Sequence, residues 1–282
     1  MVQPSVAITG VTGNMGGRVA RRMEAEGMGM RLLARDPSRV PLIANSEVAR
    51  ASYDDGNSVR DALSGIQTVF MVSGSEEPDR VEHHKTFIDA ASHAGVTQLV
   101  YTSFYGAARD AVFTLARDHW ETEEYVKSSG LAWTFLRNNI YLDFVPHLVG
   151  EDGVIRGPAG DGRVAAVSQA DIADVAAKVL LAPAEHIAQT YQLTGPEAIT
   201  LAEAAEITSH ITGQRISYHP ETIEEAYASR AKYRAPQWQV DAWVSTYMAI
   251  ASGELERVTH DVERIAGHRP LSLAQLIRLS QP

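Results

Sequence analysis

Residues 5–19 read SVAITGVTGNMGGRV, and this stretch decides the fold. A short apolar strand, SVAIT (5–9), runs into Gly10, Gly13 and Gly16, and a helical pattern follows over 14–26. GxxGxxG in a strand-to-helix turn gives each glycine a physical task. Gly10 permits the tight turn, Gly13 lets the backbone approach a pyrophosphate, and Gly16 lets the helix pack close to the sheet. The helix N-terminus then offers unpaired N–H groups and partial positive charge to the phosphates. The turn therefore predicts a dinucleotide site.

Working outward, strands and helices alternate. MRLLA (30–34) is a second strand, followed by a helical stretch near 37–45. EVARA (47–51), TVFMV (68–72), QLVYTS (98–103) and AWTFLR (132–137) continue the series, with helices over 56–64, 78–94 and about 113–129. Continuous apolar strands between amphipathic helices read as a parallel sheet covered on both faces. Right-handed crossovers then favour the doubly wound Rossmann topology. After residue 140 the rhythm loosens. GEDGVIRGPAGDGR (150–163) reads as a glycine-rich hairpin, 168–183 and 200–213 as helices, and TYQLTG (190–195) as a strand. The expected class is α/β: a Rossmann domain over 1–140, to which the chain returns at about 168–195, and a smaller, mostly helical C-terminal lobe over 141–282 that mainly binds substrate.

Composition narrows the function classes. The chain has 282 residues, 45% hydrophobic, and no cysteine. That excludes disulfides, thiolate metal sites and a cysteine nucleophile, and fits the cytoplasm. Twenty-five basic against 35 acidic residues give a net charge of −10, which opposes direct nucleic-acid binding. No apolar run approaches the ~20 residues of a membrane span. Adjacent histidines in EHHKTF (82–87) point in different directions along a helix and lack a third ligand, so no metal is expected.

The end of the second strand selects the dinucleotide. An acidic residue there holds a ribose 2′-hydroxyl, whereas an Arg pairs with a 2′-phosphate. The sequence is LLARDPSR, and its first polar residue is Arg35. Asp36 adjoins it, before Pro37, where it alternatively begins the next helix. The reading favours NADP(H).

TGVTGNMG, LLARDPSR, ASYDD, YTSFYGA, SGLAWTFLRNNIY, QADIADVAAKVL and YQLTGPEAITLAEAAEI occur in that order. Together they resemble the NmrA-like atypical short-chain dehydrogenases, within them the type-2 NAD(P)H quinone oxidoreductase and triphenylmethane reductase branch. The resemblance implies NADPH binding and a cleft under a small lobe. It carries Gly10, Thr12, Gly13, Asn14, Met15 and Gly16 onto the phosphate loop and Arg35 onto the 2′-phosphate. It places Ser52 and Tyr53 near the adenine, where Ser52 departs from an aspartate frequent in the family. Met71, Val72, Ser73 and Gly74 fall near the ribose, and Thr102 and Ser103 near the nicotinamide.

Ordinary short-chain dehydrogenases protonate a carbonyl with the tyrosine of a YxxxK motif. The sequence contains no YxxxK, and Tyr105 with Arg109 is the nearest approach. Related isoflavone-reductase-type enzymes place a Lys eleven residues before the glycine that ends the next helix. Counting back from Gly130 gives His119, a residue able to donate or accept a proton. Glu123, four residues on, shares its helical face and is expected to orient it. The candidate catalytic set is His119, Glu123 and Tyr105. Quinones and cationic dyes need no acid during hydride transfer and mainly need an apolar, aromatic slot. Phe104, Asn139, Tyr141, Trp238 and Trp243 are the candidate substrate residues.

The expected activity is NADPH-dependent reduction of a quinone-like or conjugated aromatic small molecule by a monomer or homodimer. The alternatives are a non-catalytic NADPH-binding redox sensor of the NmrA type, or a specialised biosynthetic reductase or isomerase.

Overall fold

A computed structural model describes residues 4–281. The chain divides into two compact units. The first comprises the chain up to Ser103, Asp118–Arg137 and Ile172–Tyr191. The second comprises Phe104–Arg117, Asn138–Asp171 and the chain from Gln192 onward. The expected boundary at 140 thus omits an early excursion: residues 104–117 belong with the second unit.

In chain order the first half runs β1 (Val6–Ile8), α1 (Asn14–Ala25), β2 (Met30–Ala34), β3 (Ser46–Arg50), α2 (Gly56–Ala62), β4 (Thr68–Met71), α3 (Arg80–His93), β5 (Gln98–Phe104), α4 (Thr114–Ser128) and β6 (Ala132–Asn138). There follow β7 (Val154–Gly157), β8 (Arg163–Val164), α5 (Gln169–Leu181), β9 (Gln189–Leu193), β10 (Ile199–Thr200), α6 (Leu201–Thr212), β11 (Ser217–Pro220), α7 (Ile223–Arg230), α8 (Gln237–Ala251), α9 (Asp261–Ala266) and α10 (Leu273–Ser280).

The central sheet has the order β3-β2-β1-β4-β5-β6-β9, and β1 pairs in parallel with both β2 and β4. The chain leaves β1 towards β2 and β3 and returns to β4 on β1's other side. Ligands of open α/β sheets bind at the carboxyl ends of the strands at such a switch point. β1 and β4 are buried throughout, which accounts for their apolar sequence, broken only by Thr68 at the start of β4. Leu33, Val69, Met71, Phe87, Leu99, Tyr101 and Phe135 belong to the core of this unit.

Two sequence expectations are corrected. The helix near 37–45 is a single 3₁₀ turn, Pro37–Arg39. Pro41 cannot donate the next helical hydrogen bond, and Asn45 turns left-handed at φ 55°. The hairpin over 150–163 does not form. β7 pairs in parallel with β11, and β8 pairs antiparallel with β10. Two of its glycines, Gly157 and Gly162, serve close approach to α8 instead. A Cβ on Gly157 would stand 2.3 Å from the Tyr247 ring, and one on Gly162 would stand 2.3 Å from the Ile250 carbonyl oxygen. In the same unit Thr200 and Glu203 form a capping box that starts α6, and Gly213 ends it at φ 72°.

Candidate functional site

A cavity of about 230 Å³ opens at the carboxyl ends of β1, β2 and β4, wholly within the first unit. Of the residues expected to bind the cofactor, Gly10, Thr12, Arg35, Ser52, Tyr53, Val72, Ser73 and Gly74 line it, and Thr9, Ala34, Asp54, Ser75, Glu77, Arg80 and His83 join them.

The glycine turn is built by backbone. Gly10 sits at φ 65°, the left-handed region that favours glycine, and the Gly13 N–H donates to its carbonyl at 3.0 Å. Gly13 is the N-cap of α1, with no side-chain cap and no acidic residue in the first turn. The helix therefore keeps its first N–H groups for an anion. A Cβ on Gly16 would lie 2.2 Å from the Thr9 carbonyl oxygen and 2.5 Å from the Gly10 carbonyl carbon, so only glycine lets α1 start against the end of β1. Asn14 is exposed and Met15 is buried in the core; neither lines the cavity.

Arg35 is exposed at the cavity edge. Asp36 is turned away from it. Its carboxylate accepts from the Ser38 N–H at 3.0 Å and the Ser38 hydroxyl at 2.7 Å, capping the 3₁₀ turn. These hydrogen bonds hold its pKa below the usual value. The end of β2 thus presents a cation, while the neighbouring anion is committed to its own turn.

Behind this edge Ser52 donates its hydroxyl to Asp54, so a carboxylate does reach the cavity, two residues after the position where the family often has one. Tyr53 has a structural task for its hydroxyl. It donates to the Val72 carbonyl at 2.6 Å and pairs with the Thr9 hydroxyl at 2.6 Å, while the Val72 N–H donates to Thr9 Oγ1 at 2.8 Å. This ring ties the ends of β1, β3 and β4 together. Burial raises the Tyr53 pKa above its ordinary value.

The remaining expected cofactor residues are buried beneath the surface. Met71 and Thr102 are fully enclosed, and Thr102 Oγ1 accepts from the Ser73 N–H at 2.7 Å. Ser103 donates to Glu123 at 2.5 Å. Glu123 is itself 0% exposed and takes a bidentate pair from Arg137 at 2.8 and 2.6 Å. Its carboxylate therefore braces the ends of β5 and β6, in place of the expected partnership with His119.

His119 is 6% exposed. Its Nε2 faces Arg80 Nη2 at 3.2 Å and its Nδ1 faces the Tyr101 hydroxyl at 2.9 Å. A guanidinium only donates, so Nε2 accepts and Nδ1 carries the proton. Burial first, and then the Arg80 charge, push the His119 pKa well below its ordinary value. Its enclosure disfavours the charged form, so the site holds the residue expected to donate or accept a proton as an imidazole whose protonation is opposed.

The second unit holds the other candidates. Burial raises the Tyr105 hydroxyl, and its main-chain N–H donates to the Asn138 carbonyl at 2.9 Å. Phe104 packs on Phe113 at 4.8 Å and Tyr141 on Phe144 at 5.5 Å. Trp243 meets Tyr233 edge-on at 5.8 Å beside Val240 and Val244; Trp238 is half-buried in the first turn of α8. Asn139 spends its amide on Leu255 and on the Ile140 N–H. Among the described residues, Asn138, one residue earlier, has both ends of its buried amide without a hydrogen-bond partner, and Gln192 has its Oε1 so. The two polar ends of Asn138 are what a ligand or water would satisfy.

A family model described as NAD(P)H-binding matches residues 10–183. The chain belongs to this NAD(P)H-binding family. It is 31% identical over 281 residues to quinone oxidoreductase 2 of Escherichia coli, covering 96% of this chain and 97% of that one. The structure of the E. coli protein complexed with NADPH superposes with a TM-score of 0.89 at 29% identity, over 97% of this chain and 99% of that chain. The Citrobacter triphenylmethane reductase complexed with NADP(H) gives 0.88 at 26% identity, over 98% and 100%. Membership and relatives bear out the expected class, an NAD(P)H-dependent oxidoreductase with NADP(H) as its cofactor. Among the described residues no helix is long and apolar enough to cross a membrane.

The sequence reading missed Thr9, Arg80 and His83. Thr9 lay inside the quoted strand but carried no motif. Arg80 and His83 sit in and beside EHHKTF, where the reading asked only about a metal.

Proposed function

We propose that the protein reduces quinone-like or conjugated aromatic small molecules with NADPH. The observation that carries the cofactor choice is the end of β2, where Arg35 faces the cavity while Asp36 is bound back to Ser38. In this reading the N-terminus of α1, opened by Gly10 and Gly13, holds the pyrophosphate, and Arg35 pairs with the 2′-phosphate. Asp54 and Tyr53 form the wall at the adenine end, and Val72, Ser73 and Gly74 support the sugars. The bound nicotinamide supplies the hydride.

The acceptor class is supported by the state of the two candidate acids, His119 and Tyr105. His119 is held neutral inside the first unit, and burial raises the Tyr105 hydroxyl. A ketone needs a proton as hydride arrives. A quinone leaves a stabilised phenolate and a cationic dye a neutral product, and water protonates the former afterwards.

The test is NADPH consumption by the purified protein across quinones, triphenylmethane dyes and simple ketones. Turnover of quinones or dyes without ketones is expected. Comparable ketone turnover overturns the acceptor class. Tight NADPH binding with no turnover of any acceptor instead supports the non-catalytic sensor.

A further inference from the structure

The turn after β4 is held in an unusual way. The Gly74 N–H donates to His84 Nε2 at 2.8 Å, and the Gly74 carbonyl accepts from Arg80 Nε at 3.0 Å. Both polar groups of one residue are thus satisfied by side chains of α3. Arg80 and His84 are four residues apart, on one face of that helix, and are 6% and 0% exposed.

Each of them is backed in turn by α4. His84 Nε2 accepts, so its Nδ1 carries the proton and donates to Thr122 Oγ1 at 2.9 Å. The Thr122 hydroxyl in turn donates a hydrogen bond to the Asp118 carbonyl at 2.8 Å. Arg80 Nη2 donates to His119 Nε2, and Asp118 lies 3.7 Å from Arg80 Nη1. His119 and Thr122 are three residues apart and share a face of α4.

Two imidazoles and a guanidinium taken out of water are costly, and well-packed apolar side chains are frequently as stabilising. What this network holds, and apolar packing would not, is the position of one peptide unit. That unit lines the cavity. It also rests directly on the clamp: a Cβ on Gly74 would stand 3.2 Å from His84 Nε2 and 3.7 Å from Tyr53 Cδ2.

We propose that His84 and Arg80 are positioning residues that fix the turn at Gly74 against the bound dinucleotide, and that His119 and Thr122 act through them. The proposal rests on reading this cavity as the NADPH site. His119, singled out in the sequence as a proton donor, is then a support for the cofactor turn.

The experiment compares NADPH dissociation constants, by fluorescence titration of the full chain, for wild type, His84→Gln, His84→Asn, His84→Ala and Arg35→Ala. Glutamine places its carbonyl oxygen where Nε2 stands and keeps an acceptor for the Gly74 N–H. Asparagine is shorter and leaves that N–H unpaired. NADPH affinity is expected to fall about tenfold in His84→Asn and His84→Ala, the effect of one lost buried hydrogen bond, and to stay within about threefold of wild type in His84→Gln. Equal affinity in all three, with only the melting temperature lowered, overturns the positioning role. If Arg35→Ala also binds as wild type does, the cavity assignment fails; if it alone weakens binding, only the positioning role fails. Should the His84 variants not fold, Thr122→Val and Thr122→Ser carry the test from outside the cavity. Valine is expected to weaken NADPH several-fold and serine to restore it; no difference between them overturns the proposal.

Discussion

Two turns at the carboxyl ends of adjacent strands line the same cavity and are held by different physics. The turn after β1 is shaped by its own backbone: Gly10 at positive φ, the Gly13-to-Gly10 hydrogen bond, and Gly16 beneath the Thr9 carbonyl. The turn after β4 borrows its shape. Thr102 holds Ser73, Thr9 and Tyr53 hold Val72, and Arg80 and His84 hold Gly74. The first needs eight contiguous residues of the chain, 9–16, and the second draws on four other elements. A locally determined turn is broken by adding an atom, and a borrowed one by removing a partner.

The largest effect expected is on the first turn. Gly16→Ala drives a methyl into rigid backbone and should cost about 3 kcal/mol or more of stability, read by urea unfolding. Gly13→Ala meets nothing nearer than the Gly10 oxygen at 3.4 Å. It should fold as wild type but lose NADPH, because its methyl occupies the space of the phosphates. A stable Gly16→Ala protein would show that the turn is not backbone-limited.

The second turn should show itself through pH. Burial, then the positive charge of Arg80, lowers the His84 pKa from 6.5 to about 3. The unfolded chain therefore binds a proton below pH 6.5 that the folded chain refuses until about pH 3. Stability is intact at pH 7 and falls as pH drops through that window. The His84 share is on the order of 2–3 kcal/mol between pH 7 and 4.5, and His119 shifts in the same direction. Urea midpoints at the two pH values should differ less in His84→Gln than in wild type. An unchanged difference would mean that His84 is not held neutral.

The smallest effect concerns the edge of the cavity. Arg35→Ala should weaken NADPH about 10- to 100-fold, the range for a lost charge-assisted hydrogen bond, and leave NADH nearly unchanged in calorimetric titration. Asp36→Ala should leave the ratio of the two affinities as it is, since its carboxylate serves Ser38. A ratio that moves with Asp36 would place that carboxylate on the ribose.

What the sequence by itself determined were the features whose causes lie close together along the chain. The largely apolar strands announced a sheet buried on both faces. The glycine spacing announced the tight strand-to-helix turn after β1, and the first polar residue after β2, Arg35, stands at the cavity edge. Tertiary structure alone decided what long-range partners decide. Glycines at 157 and 162 looked like a hairpin because glycine permits both a turn and a close approach, and only Tyr247 and Ile250, some ninety residues away, select the second. Glu123 looked like the orienter of His119 because four residues along a helix bring side chains to one face. The competing partners, Ser103 and Arg137, come from two different strands. His119 looked like an acid because an imidazole in water titrates near neutrality. Burial first, and then the Arg80 charge, lower its pKa, and neither is written next to it in the sequence.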